Sequence, residues 1–294
     1  MYEKVESCPS CHSKEFINHM ICDDYSVSKE SFAIMKCSNC ELLLTSPRPS
    51  KDGIGSYYQS EDYISHTNQA NNLINRVYKI ARNYTLRKKF KLIKRLASKE
   101  SILDYGCGTG HLLNYIQQNK SWKTLGIEPD ETARTIAIGD HGLNVVSSIE
   151  ELPDKKFGII TLWHVLEHVH DLNETIQALK KHLSKKGRLV IAVPNNKSLD
   201  EQIYQQHWAA YDVPRHLYHF NQLTIKELMK YNKFTLEETI PMKLDAYYVS
   251  MLSEKHKTGK INYLKSVING WKSNTWARKN NKNYSSLIYI FKQA

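Results

Sequence analysis

The chain has 294 residues, of which 41% are hydrophobic, 10% aromatic and 24% charged, a composition that supports a packed globular core. No apolar run approaches the roughly 20 residues of a membrane span, and the opening MYEKVESCPS carries no apolar signal core, so a cytoplasmic protein without a membrane span is expected. The formal charge of +11 favours anionic partners such as nucleic acid, phosphorylated metabolites or an acidic surface, and equally serves solubility.

Four of the six cysteines form two C-x-x-C pairs, Cys8 with Cys11 and Cys37 with Cys40. In a reducing compartment such knuckles predict a tetrahedral structural zinc site, closed because all four positions are thiolates. Cys22 lies between the pairs without a partner and reads as a spectator. Residues 1–50 are therefore expected to form a zinc-ribbon module, with SPRPS at 46–50 as its exit. A second segment, 51–100, joins a tyrosine-rich stretch to a basic helix over 69–98. Leu86, Phe90, Ile93 and Ala97 fall on one stripe of that helix, and its lysines and arginines, mostly off the stripe, read as a solvated face, with anion binding as the alternative. A second basic tract, 255–282, holds eight Lys/Arg residues and no acid.

From residue 101 apolar runs alternate with helical patterns. SILDY, KTLGI, LNVVSSIEEL, FGIITLW and GRLVIAVPN predict five strands, and FTLEETIPM and SSLIYIFK two late ones. Such alternation implies an α/β fold with a parallel sheet and helices on both faces. After the first strand comes DYGCGTG, with glycines at 106, 108 and 110. The loop lacks the G-K-S/T ending of a P-loop, and its third glycine comes one residue too early for the dinucleotide fingerprint. Asp104 at the first strand tip can accept from an amino group, and Glu128 at the second can chelate ribose hydroxyls.

ILDYGCGTG with GIEPD resembles the cofactor site of class I S-adenosylmethionine-dependent methyltransferases, and the resemblance covers roughly 101–294. It implies a Rossmann-like seven-stranded sheet. It also implies S-adenosyl-L-methionine held by Asp104, Gly106, Gly108 and Gly110, with Glu128 on the ribose and Pro129 against adenine. Ser148 and Ile149 stand where relatives place an adenine-binding acid, and Trp163 and His164 close the fourth strand beside the cofactor.

HVLEH at 164–168 matches the inverted zinc-peptidase signature H-x-x-E-H. A peptidase needs both histidines on one helix, whereas FGIITLW runs directly into His164 as a strand. WHVLEHVHDL instead resembles a methyltransferase subgroup that includes sugar C-methyltransferases and carries an N-terminal four-cysteine module. That resemblance makes Glu167 and His168 candidate catalytic residues, with helix capping as the alternative reading. In the same subgroup a Trp, then P-R-H-L and H-F, cover the site. Here Trp208, Arg215 and His219 are substrate-binding candidates and His216 a second base, with simple pegging of the loop as the alternative for Arg215 and His216. The expected activity is methyl transfer to oxygen or carbon of a small molecule or glycan precursor. A zinc-ribbon RNA methyltransferase and a non-catalytic cofactor-binding scaffold are the rivals. Neither an N-P-P-Y-type motif nor a cysteine nucleophile follows the fourth strand, which excludes two nucleic-acid chemistries. The acceptor and the oligomeric state are not legible.

Overall fold

The computed structural model describes residues 1–58, 73–97, 100–119 and 122–294. The strands are β1 (Tyr2–Glu3), β2 (Phe16–Asp23), β3 (Ser31–Cys37), β4 (Leu43–Thr45), β5 (Arg48–Pro49), β6 (Ser101–Tyr105), β7 (Lys123–Ile127), β8 (Val145–Val146), β9 (Phe157–Trp163), β10 (Leu183–Pro194), β11 (Tyr218–His219), β12 (Phe234–Pro241) and β13 (Ser286–Gln293). The α-helices are α1 (Leu73–Leu96), α2 (His111–Asn119), α3 (Glu131–Gly139), α4 (Leu172–His182), α5 (Leu199–Tyr204), α6 (Gln222–Tyr231), α7 (Asp245–Thr258) and α8 (Tyr263–Ala277). Residues 69–72 and 98 of the expected basic helix, and 59–66 of the tyrosine-rich stretch, lie outside the described residues.

The central sheet has seven strands in the order β8-β7-β6-β9-β10-β13-β12. The five strands from β8 to β10 pair in parallel, while β13 runs antiparallel to both of its neighbours. The parallel sheet expected from the alternation is thus a mixed one with a single reversed strand. The sequence run SILDYGCGTG ends β6 next to β9, where the strand order reverses. That is the switch point at which open α/β sheets bind ligands. The third strand shrinks to two residues, because Ser148 already begins a 3₁₀ turn over Ile149–Glu151.

Alternation along each strand divides the core. Leu103, Ile160 and Ile191 face α4 and α6, which contribute Leu172, Ile176 and Leu179, and Ile225, Leu228 and Met229. Their neighbours Ile102, Ile159 and Val190 face the other layer, with Ile93 of α1 and Leu112, Leu113 and Ile116 of α2. Each β9 residue before Trp163 is buried, which explains why FGIITLW reads as a continuous apolar run rather than an alternating one.

The N-terminal residues form an antiparallel meander, β2-β3-β4, and a fourth strand joins its edge. That strand is β11, contributed from 218–219, so Tyr218 pairs with Leu44 and His219 with Leu43. Cys8, Cys37, Leu42 and Leu44 pack in the same apolar cluster as Leu103, Leu217 and Phe220. The boundary expected at residue 50 is therefore crossed by both a sheet and a core. Cys22 is buried with Phe32, Ile34 and Trp208, apart from the four-cysteine cluster.

Candidate active site

The glycine loop follows from backbone geometry. Gly106, Gly108 and Gly110 all have positive φ, at 71°, 55° and 80°, the left-handed region that side chains disfavour. A Cβ at Gly106 would stand 2.5 Å from Val165 Cγ2, and one at Gly110 2.3 Å from Leu143 Cδ1. Glu128, just beyond the tip of β7, accepts from Gly108 N at 2.7 Å and from Asp130 N at 3.0 Å, so the acid and the loop meet as the spacing required. Burial raises the pKa of its carboxyl above the ordinary range. Asp104 accepts from Thr161 Oγ1 at 2.5 Å, and burial pushes its carboxyl up to about 7. Pro129 follows Glu128 and is exposed. Ser148 and Ile149 are half-buried on the turn after β8.

One contributor escaped the sequence reading. Lys89, on the helix expected to be solvated, lays its Nζ 4.2 Å from the centre of the Trp163 ring. Burial lowers its pKa, and the nearby carboxylates of Asp104 and Asp245 oppose that shift. Among nine residues rich in Lys and Arg, nothing in the pattern singled it out.

Beyond β9 the chain turns abruptly. His164 has φ of 56°, an uncommon backbone for a non-glycine residue and one that recurs at functional sites. Its Nδ1 stands 3.5 Å from Glu167 Oε1 and its Nε2 3.2 Å from Asp245 Oδ2. Burial works against the charged imidazole, yet Asp245 and Glu167 prevail and raise its pKa to about 9. A 3₁₀ turn over Leu166–His168 follows, so His164 and His168 do not share an α-helix, and the peptidase geometry is absent.

Glu167 is only 1% exposed, and neither carboxylate oxygen has a hydrogen-bond partner among the described residues. Burial disfavours its charge, but the surrounding histidines, His164 first, hold its pKa below the usual value. His168 and His216 meet edge to face with centroids 4.6 Å apart. His168 Nδ1 lies 3.0 Å from both Arg215 O and Tyr58 Oη, and His216 Nδ1 lies 2.8 Å from Ala210 O. A carbonyl only accepts, so each ring proton sits on Nδ1 and leaves a lone pair on Nε2. Burial, aided by His216, lowers His168 to about 4, which keeps it neutral. One ligand atom each from Glu167, His168 and His216 all lie within 4.8 Å of one another. Two imidazoles and a carboxylate could accept a proton or hold a divalent cation.

Three expected substrate contacts are turned inward. Arg215 donates to Asp212, Asp24 and the Tyr57 carbonyl, so its fork is not open to an anion. Trp208 is buried and donates from Nε1 to Asp200. His219 is buried with Nε2 3.1 Å from Thr45 Oγ1. The strand that holds it, β11, belongs to the N-terminal sheet, and His219 lines a small cavity together with His216 and Trp208.

The comparisons with known proteins fit this geometry. A family model described as a methyltransferase domain matches residues 78–239. The chain belongs to this methyltransferase family. Its fold is similar to that of magnesium protoporphyrin IX methyltransferase from Synechocystis PCC 6803, solved with bound SAH. The TM-score is 0.51 at 13% identity, over 81% of this chain and 97% of that one. It is also similar to a complex between the Haloferax volcanii Trm112 methyltransferase activator and the putative methyltransferase, with TM-score 0.50, 13% identity, and coverage of 72% and 93%. A Rickettsia akari (strain Hartford) protein named ubiquinone biosynthesis O-methyltransferase is 32% identical over 130 residues, 42% of this chain and 51% of that protein. The chain spans about half the length of that curated relative.

In the N-terminal part of the chain, the Sγ atoms of Cys8 and Cys40, and of Cys11 and Cys37, are 3.5 Å apart. All four lie within 4.8 Å of one another. The spacing is far beyond a disulfide's roughly 2.05 Å and near the separation of thiolates around a tetrahedral Zn–S₄ centre.

The His164 shift gives a pH prediction. A histidine whose folded pKa is raised contributes stability that is complete below its unfolded value near 6.5 and is lost as pH rises through about 9. Thermal melts should show the wild type more stable than His164→Gln at pH 6, with the gap closing between pH 7 and 10.

Proposed function

We propose that this methyltransferase uses S-adenosyl-L-methionine to methylate an oxygen or carbon of a small molecule or glycan precursor. The carrying observation is the buried Glu167 carboxylate, facing His164 at 3.5 Å, with the His168 and His216 ring nitrogens around it, just past the tip of β9. Gly106, Gly108, Gly110 and Glu128 would hold the cofactor, with Asp104 beneath them and Pro129 and Ile149 flanking its base. When bound, the sulfonium supplies an activated methyl group. What the chain must add is in-line positioning and removal of one proton. His168, neutral and presenting Nε2, is the proposed proton acceptor, with His216 as the alternative base. Glu167 orients the pair and stabilises the imidazolium. The name of the Rickettsia akari relative supports oxygen as the acceptor atom, and the SAH bound on a similar fold supports the cofactor.

Glu128→Ala should weaken S-adenosylhomocysteine binding by roughly 1.5–3 kcal/mol, the scale of hydrogen bonds to a charged group, measured by isothermal titration. Undetectable binding to the wild type would reject the cofactor assignment. On an acceptor found by screening with radiolabelled cofactor, His168→Ala should lower turnover by about 10²–10⁴-fold. Its S-adenosylhomocysteine affinity should stay near that of the wild type. Full turnover in His168→Ala with loss in His216→Ala would transfer the role to His216.

We further infer a structural zinc held by Cys8, Cys11, Cys37 and Cys40. Metal analysis should find one zinc per chain. Chelation should speed hydrogen exchange in 1–45 and, because β11 hangs on β4, in 216–220, while the glycine loop at 104–110 exchanges as before.

A further inference from the structure

The basic tract at 255–282 contributes no residue to the proposed methyl-transfer site. It contains α8, whose polarity is inverted. The face turned to the protein consists of Ser266, Asn269, Gly270, Ser273, Asn274 and Ala277. That face is hydrogen-bonded inward: Asn269 donates to Tyr204 Oη at 2.8 Å, Ser273 to Asp200 Oδ1 at 2.6 Å, and Asn274 to the Lys243 carbonyl at 2.9 Å. Gly270 lets α7 approach closely, since a Cβ there would stand 2.7 Å from Tyr247 Cδ1. The outward face carries Leu264, Val267, Ile268 and Trp271, exposed by 73%, 56%, 41% and 59%. These positions follow i, i+3, i+4, i+7, one continuous stripe of a helix. An ordinary surface helix points such a stripe at the core. Here the core side is already filled by hydrogen-bonded polar groups, so no rotation of the helix in place would bury it.

Charge identifies the occupant. Lys265 and Lys272, seven residues apart, line one flank of the stripe, and Lys260, Arg278 and Lys279 stand at the ends of the helix. Lys265 also reaches Glu254 at 3.1 Å. No acid occurs from 255 to 282. A second copy of the chain would bring two such lysine sets together, which costs rather than stabilises. Single-stranded RNA would match the charge, but three of the four stripe residues are aliphatic and offer no stacking plane. An anionic bilayer satisfies both features, taking up Leu, Val, Ile and Trp at the headgroup boundary while lysines snorkel to lipid phosphates.

We propose that the outward face of α8 docks the enzyme on an anionic membrane surface. The contact lies in the interface plane, as no helix among the described residues is long and apolar enough to cross a bilayer. Vesicle co-sedimentation of the full chain tests this, with phosphatidylglycerol-containing vesicles compared with pure phosphatidylcholine. The wild type should sediment with the anionic vesicles and be released by high salt. Leu264→Glu with Trp271→Glu should reduce partitioning by about tenfold or more, and Lys272→Glu by about fivefold or more. Circular dichroism melts matching the wild type would show that these exposed substitutions leave the fold intact. Absence of sedimentation with anionic vesicles would overturn the proposal, as would equal sedimentation of the double variant. A dimer that the double variant abolishes, without any vesicle binding, would assign the face to self-association instead.

Discussion

A short chain of backbone hydrogen bonds joins the two sheets, and the site depends on it. Leu217 N donates to Glu167 O at 2.8 Å, and Thr45 N donates to Leu217 O at 3.0 Å. The first bond fixes the turn beyond β9 and the second ties the 213–220 segment to the N-terminal meander. Both His216 and the carbonyl of Arg215, which orients His168, lie in the turn just before Leu217, the residue that makes both bonds. A carboxylate such as Glu167 is expensive to bury without partners. His164 at 3.5 Å and the nearby His168 and His216 rings offset that cost.

The cofactor side obeys a different constraint. Gly106 and Gly110 are tightly packed, with Val165 and Leu143 against the places a Cβ would take. Val165 belongs to the same turn as His164 and Glu167, so the glycine loop and the acid–base cluster share a wall. A side chain at 106 would disturb both halves at once. The loop at one strand tip and the turn at the next are thus packed against each other at the sheet's switch point.

Arg215 shows how charge is used for architecture here. Asp24 comes from the N-terminal meander and Asp212 from the covering loop, and the guanidinium binds both. Burial disfavours the ionised Asp212, but Arg215 lowers its pKa to about 2. The arginine therefore clamps two parts of the chain that are far apart in sequence. A residue that looked suited to gripping an anionic substrate is the counter-ion of two internal acids.

Local chemistry explains what the sequence alone determined. Strand β9 and the LVIAV run of β10 were legible because strands buried on both faces are continuous apolar runs, and the glycine loop because its positive φ angles favour glycine. The pairing of Glu128 with that loop followed from the fixed geometry of a strand–helix–strand unit. Glu167, His168 and His216 were named as candidates, but their convergence required the fold, since 48 residues separate His168 from His216. Tertiary structure alone decided the rest. It reversed β13, lent β11 to the N-terminal sheet, turned Arg215, Trp208 and His219 inward, brought Lys89 over Trp163, and left the apolar stripe of α8 facing out. Each outcome depends on long-range pairing or on which face a neighbour covers, and a helical or strand period reports a stripe without saying what lies against it.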